Sequence, residues 1–532
     1  MHLLGDGTDL DVLRARATDI ASAWGAAAAT FTTVGQERAI LRLFGVTGVD
    51  RTGRPLAAEV VDRYLAPDPL RLGGGIALPF AIAMAEYDLR PQELAMEVAA
   101  GNVDLGLEAE LLAEPDRRAV AVANAVALAR SALERVDANR VARRELLELL
   151  GDAPRPWIGV SLASPAIVDA LDEAARAIDA GADLVRVEVP PSRELAELLG
   201  KAGHAVDTWR AAPSSRGGLS THEPNALPIP TGAQRALSVL RRFVDEAGAR
   251  RRGYVRLMTD AQPLAAPDQA VVAAFERIDI VAADPIREVI SGRVDPDRAL
   301  ADHVFAYRLL CRAGARVLVP AGPLLVAPDL ERGVPSDPAT RAGRALAMQL
   351  LAVALAQREG IPAASISVGA FPAWLVDEPG AALRAAAEVA LRRALLPDHP
   401  LAFVEPPFED GHPDAWHALV AALLPDAGDV DLVLREPSGT PGPGIGLTRA
   451  SAMVATALRA GRSAPVLSGA AAEHADRAVV AALATLAAVD ERGWAAVVDQ
   501  PMAAGAAGLG AAAVVERTGA FDPLSVEPAA PA

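Results

Sequence analysis

The sequence is almost without lysine. Of its 51 basic residues only Lys201 is a lysine, and the rest are arginine. Any chemistry that needs a lysine amine from this chain has one residue to draw on. A P-loop needs Gly-Lys-Ser/Thr; Lys201 is followed by Ala202, so the motif is excluded. Cysteine is as scarce. The single Cys311 rules out a disulfide framework and a thiolate metal cage, and within a helical stretch it reads as a small buried apolar residue. Aromatic residues make up 4% of the chain and never interleave with a basic run. With a formal charge of −17, that disfavours nucleic acid and anionic membrane as partners. No apolar run reaches membrane-spanning length before a charge breaks it. Acidic Asp6, Asp9 and Asp11 stand where a secretory leader would be basic, so a cytoplasmic location is expected. The histidines are scattered. His412 and His417 miss the i, i+4 spacing of a helical zinc pair, and His303 beside Asp302 reads as packed or solvent-facing. The glycine-rich stretches 442–446 and 508–510 lack GxGxxG and read as turns.

What is present is a long chain, 532 residues and 52% hydrophobic, enough for one large core with additions. Residues 1–150 read as helical. Amphipathic runs cover 10–28 and 34–44, with Thr33 able to cap the second, and an apolar helix at 76–86 follows Gly73–Gly75. Residues 116–150 read as one or two charged helices. From Trp157 the pattern changes to short apolar runs alternating with helical stretches. The runs are 157–161, 184–189, 254–258, 278–282, 316–319, 365–368, 401–405 and 430–434. Eight strand–helix units predict a (βα)8 TIM-type barrel with helical additions at both ends; a doubly wound sheet is the alternative. The expected organisation is a helical region at 1–150, a barrel at 151–462, and helices with a frayed Ala/Gly/Pro-rich tail at 463–532. Two connections, 190–230 and 320–338, are long and fall on the carboxyl face, where such barrels carry their chemistry.

Candidate site residues follow from that face. Arg186 lies within a strand and needs an anionic partner, which a phosphate, a carboxylate or Glu188 could supply. Ser192 and Arg193 follow it. Thr231, Gly232 and Arg235 open a helix whose free amides can bind an anion; a plain capped helix is the alternative. Together these six predict an anion site, for a phosphate or a carboxylate. Asp284 ends the strand at 278–282, with Arg287 and Glu288 one turn on. Asp284 can bind a substrate ammonium with Arg287 beside it, or simply cap the helix that begins at Pro285, and Glu288 joins it as a candidate catalytic carboxylate.

Several blocks resemble one family. RVDPDRALADH (293–303), SDPATRAGRAL (336–346), WLVDEPGA (374–381), TTVGQERAILRLFGVTGVD (32–50) and PTGAQRAL (230–237) are similar to the large (alpha) subunit of lysine 5,6-aminomutase. The resemblance runs from about residue 32 to about 435. It implies a barrel that binds pyridoxal phosphate (PLP) at its carboxyl face. It also implies a smaller beta subunit that binds adenosylcobalamin and supplies the Schiff-base lysine, and a radical 1,2 amino shift in D-lysine or L-β-lysine. The near absence of lysine agrees with a borrowed Schiff-base residue. The cobalamin fingerprint Asp-x-His-x-x-Gly begins at Asp410-Gly411-His412 but has Ala415 in place of its glycine. Two positions depart from the family: Ala233 stands where a phosphate-binding serine is expected, and 258–262 offers no aromatic ring to stack on PLP. A mutase for another diamino acid, such as an ornithine 4,5-type enzyme, and a non-catalytic barrel that binds the small subunit both stay open.

Overall fold

The protein is described by a computed structural model for residues 8–49, 55–162, 167–187, 231–261, 263–292, 294–321, 337–372, 381–405, 430–435, 469–497 and 514–527. The amino-terminal part comprises α1 (Thr8–Ala28), β1 (Phe31–Thr33), α2 (Val34–Leu43), α3 (Leu56–Leu65), α4 (Ala77–Tyr87), α5 (Pro91–Ala100), α6 (Leu105–Leu111) and α7 (Pro115–Leu150). Thr33 caps α2 by accepting the Gln36 amide at 3.0 Å, as its position predicts. The stretch read as one or two charged helices is the single 36-residue α7.

The barrel then runs β2 (Trp157–Leu162), α8 (Ile167–Asp179), β3 (Leu184–Val187), α9 (Thr231–Arg251), β4 (Arg256–Asp260), α10 (Ala266–Phe275), β5 (Ile280–Ala282), α11 (Pro285–Gly292) and α12 (Pro296–Ala313). It continues with β6 (Arg316–Val319), α13 (Pro338–Arg358), β7 (Ile366–Gly369), α14 (Ala381–Leu395), β8 (Leu401–Glu405) and β9 (Val430–Arg435). Strands β2 to β9 pair in parallel and in chain order, and β9 closes on β2, so the sheet is a closed eight-stranded TIM-type barrel. α15 (Gly469–Arg492) and β10 (Val514–Glu516) follow.

Strand alternation separates two cores. Trp157, Leu184, Met258, Ile280, Leu318, Ala402, Leu432 and Leu434 fill the barrel interior. Val185, Leu257, Val281, Val317, Val368 and Val433 face outward into a second core, which runs continuously from Leu10 to Val489 and joins the amino-terminal helices to the barrel helices. The amino face of the barrel is tied by ion pairs. Asp183 and Asp279, each one residue before a strand, accept the Ile158 and Leu257 amides of the neighbouring strands at 3.1 and 2.9 Å and pair with Arg251 and Arg241. Arg256 lies 3.5 Å from the centre of the Trp157 ring.

Three expectations need correction. Residues 1–150 contain a strand, because β1 pairs antiparallel with β10. The tail expected to fray therefore carries ordered structure at 514–527. There Arg517 donates to the Phe31 carbonyl at 2.8 Å and to Gln36 Oε1 at 2.9 Å, and Asp522 pairs with Arg308 at 2.8 Å. Backbone pairing, the Arg517 hydrogen bonds and the Arg308–Asp522 ion pair hold this segment despite its composition. Cys311 is only half-buried, its Sγ 3.1 Å from the Gly360 carbonyl oxygen, rather than a buried apolar residue. Of the helices expected over 446–490, α15 is described; residues 436–468, like most of the long connections at 190–230 and 320–338, lie outside the described residues.

Candidate active site

The carboxyl mouth of the barrel is built by the last inward residues of its strands. Arg186 sits two residues beyond the interior Leu184, and Asp260 two beyond the interior Met258. In register, Ser161 pairs with Arg186 and Arg186 with Met258, so Asp260 stands one step further out on the adjoining strand. The geometry makes an ion pair. Arg186 Nε lies 3.1 and 3.3 Å from the two Asp260 oxygens, Nη2 also bonds Asp260 Oδ2, and Nη1 reaches Ser161 Oγ at 3.4 Å. The carboxylate partner that an in-strand arginine requires is thus Asp260. Glu188 lies outside the described residues.

Next along the mouth, Asp284 follows β5 and caps α11. Its Oδ1 accepts the Ile286 and Arg287 amides, each at 3.0 Å. Burial pushes its pKa up to about 6, against the lowering pull of those amides and of the half-buried Arg287. Behind it Tyr307 donates to the Ala283 carbonyl at 3.1 Å, which fixes the end of the strand that presents Asp284. Glu288 is 3% exposed, and its carboxyl turns toward the outer layer. Its Oε1 accepts the Leu264 amide at 2.6 Å, and its Oε2 is 3.5 Å from His303 Nδ1. Burial pushes Glu288 up to about 8, with the neighbouring Asp302 carboxylate adding to the rise. Leu264 has a left-handed backbone, φ 60°, which a branched residue adopts only when its surroundings impose it. Glu288 on its amide and Arg298 Nη2 at 3.3 Å from its carbonyl supply that constraint, and so shape the turn that leaves β4 just past Asp260. His303 is packed: burial lowers it to about 4 and its Nδ1 meets the Ala299 carbonyl at 3.0 Å.

The structure thus gathers Arg186 and Asp284 on the carboxyl face, with Arg287 one turn into α11 and Glu288 behind them. It does not join Arg186 to Arg235 through any described contact. Arg235 is exposed on α9, and the neighbouring Gln234 is bound to Glu276 at 2.9 Å and to Arg42 at 3.3 Å. Thr231 and Gly232 are the first residues of α9; Ser192, Arg193, Lys201, His412 and Ala415 lie outside the described residues. Two mouth residues escaped the sequence reading. Asp260 was missed because the apolar Tyr254 and Val255 drew the predicted strand two residues early, which left the aspartate beyond its end. Ser161 carried no signal beyond ending a strand. The described residues hold no cluster of three or more His, Cys, Asp or Glu able to bind a metal ion, and no described helix is long and apolar enough to cross a membrane.

A closed (βα)8 barrel with Ser161, Arg186 and Asp260 facing inward at the carboxyl ends of its strands is a TIM barrel, a fold that carries its ligand sites at that face. The chain belongs to the family described as the D-lysine 5,6-aminomutase TIM-barrel domain of alpha subunit, whose model matches residues 4–198 and 230–420. It is 27% identical over 383 residues to the lysine 5,6-aminomutase alpha subunit of Fusobacterium nucleatum, covering 70% of this chain and 66% of that protein. It is 28% identical over 276 residues to the protein of the same name from Acetoanaerobium sticklandii, covering 52% of this chain and 48% of that one. The matches therefore span a little under two thirds and about half of those relatives. Among solved structures, a Yersinia pestis DHPS bound to a pterine-sulfa conjugate aligns with 57% of this chain and 93% of its own at 12% identity, with a TM-score of 0.34. A likeness that slight carries no argument.

Proposed function

We propose that this chain is the large subunit of a PLP- and adenosylcobalamin-dependent aminomutase that moves an amino group between neighbouring carbons of D-lysine or L-β-lysine. The observation that carries the reading is the family match across the barrel. The mouth supports it, with the Arg186 guanidinium paired to Asp260 and the Asp284 carboxyl held past the end of β5. On this reading 1–150 is a helical region, 151–462 the PLP and substrate barrel, and 463–532 a carboxyl-terminal addition.

The donor set suits the phosphate of PLP. Arg186 and the Ser161 hydroxyl offer N–H and O–H groups at the mouth, and the first turn of α9 offers backbone amides. Arg186, Ser192, Arg193, Thr231, Gly232 and Arg235 would hold that phosphate. On the family reading the Schiff-base amine comes from a small cobalamin-binding beta subunit, and a chain with Lys201 as its one lysine suits that division. When bound, PLP carries the migrating nitrogen and adenosylcobalamin supplies the radical that abstracts hydrogen. The chain's own groups bind and orient. Asp284 takes the substrate ammonium, Arg287 its carboxylate, and Glu288, turned away from the mouth, holds the Leu264 turn in place.

Reconstitution tests this. The chain mixed with a cobalamin-binding small subunit, PLP and adenosylcobalamin should isomerise D-lysine or L-β-lysine, and neither polypeptide should do so alone. Borohydride reduction should trap PLP on the small chain. Label trapped on Lys201 would overturn the two-subunit reading, and Lys201→Arg should leave the pair active. Asp260 beside Arg186, together with Ala233, favours a second reading. In that reading the chain serves a related diamino-acid mutase, shown by turnover of ornithine alone, or a non-catalytic barrel, shown by complex formation without turnover.

A further inference from the structure

We propose that Asp260 is a specificity-determining residue of the barrel mouth, holding Arg186 in an internal ion pair that an anionic ligand has to displace. The proposal rests on the reading of Arg186 as an anion-binding residue, and its test separates the two. The Nε and Nη2 groups of Arg186 form one of the guanidinium edges that can grip a carboxylate or phosphate through two parallel bonds. Asp260 occupies that edge, with Nε 3.1 and 3.3 Å from its two oxygens and Nη2 bonded to Oδ2. Nη1 turns to Ser161 Oγ at 3.4 Å.

The pair is built in. β3 and β4 are adjacent parallel strands, Arg186 is in register with Met258, and Asp260 is the next inward residue, so the backbone sets the separation of the two charges. The side chains are 11% and 17% exposed, which leaves little water to screen them. A phosphate approaching Arg186 therefore meets a fixed negative charge at nearly the same distance as the positive one. The Coulomb terms largely cancel, and the site gains little from binding an anion. Cationic and zwitterionic ligands do not incur that penalty. The mouth is thus biased against free anions until something else, a second donor set or a partner subunit, adds to the attraction.

Asp260→Asn removes the charge while keeping the shape and an acceptor for Nε. Inorganic phosphate is the probe, titrated calorimetrically into the full chain at constant ionic strength, with the rise in thermal midpoint on adding phosphate as a second readout. Asp260→Asn should bind phosphate roughly tenfold more tightly than the unaltered chain, and Arg186→Met should abolish the gain when combined with it. Asp260→Ser is the second uncharged variant, used if the asparagine protein is poorly folded. Unchanged affinity in the uncharged variants overturns the proposal and leaves Arg186 as the anion residue. Weaker affinity also overturns it, because Asp260 would then be orienting Arg186 rather than competing for it. A gain that survives Arg186→Met places the anion elsewhere and overturns the reading of Arg186 itself.

Discussion

Glu288 keeps its proton at neutral pH, and that makes stability depend on pH. Its folded pKa, raised from 4.5 to about 8, means the folded chain binds a proton that the unfolded chain releases. Its contribution is complete below about 4.5 and lost as pH rises through 8. Asp284, raised to about 6, behaves the same way over a lower window. His303 opposes both: lowered from 6.5 to about 4, it favours folding above 6.5 and loses that contribution as pH falls through 4. Between pH 6.5 and 8 Glu288 is the main changing group of the three. Stability should fall there, by at most about 1.4 kcal/mol per pH unit for a single group. Glu288→Gln, which keeps an acceptor for the Leu264 amide, should flatten that fall. Thermal midpoints of both proteins at pH 6.5, 7.2 and 8 decide the matter, and parallel slopes would reject the assignment. At this scale the site was partly legible. Arg186 stood out as a charge inside an apolar strand, and Asp284 as a carboxylate between a strand and Pro285. Asp260 did not, because apolar patterning marks the middle of a strand better than its end.

Elements show the same division between what periodicity records and what only packing decides. All eight barrel strands and the described helices between them follow from runs of the right period. The crossing of α13 and α15 does not, because it depends on a glycine. A Cβ on Gly343 would fall on the Ala478 carbonyl oxygen, so the two helices touch backbone to backbone. Gly343→Ala should force them apart and cost about 1–3 kcal/mol, read from the denaturant midpoint. Deeper in, a buried polar chain links these helices to the sheet. Gln349 Nε2 reaches the Pro320 and Gly369 carbonyls, each at 3.0 Å. Its Oε1 takes Arg392 Nε at 2.8 Å, Arg392 bonds Glu388 at 2.6 Å, and His474 lies 3.1 Å from the same carboxylate. Burial alone would raise Glu388, but the bonds from His474 and Arg392 outweigh it and hold the group below its ordinary value. Arg392→Met should therefore cost about 3–5 kcal/mol, since it strands a buried carboxylate. A loss under 1 kcal/mol in the same measurement would mean that His474 alone satisfies it.

For the whole molecule, the pairing of β1 with β10 is the feature least visible beforehand. Each strand is three residues long, too short for alternation to register. Deleting 514–527 should lower the thermal midpoint by several degrees, because it removes the Arg517 and Asp522 contacts and leaves the β1 edge bare; an unchanged midpoint would show that the segment adds nothing to the fold. The pairing also fixes an order of events during synthesis. Phe31 and Arg517 are 486 residues apart. At the usual pace of translation the ribosome needs roughly 25–100 s to cover that distance. Every barrel strand emerges inside that interval, so the barrel can close while the first strand still waits for its partner. For about a minute the nascent chain carries an open strand edge, and its brevity is what limits the hazard of pairing with a neighbour on the same message.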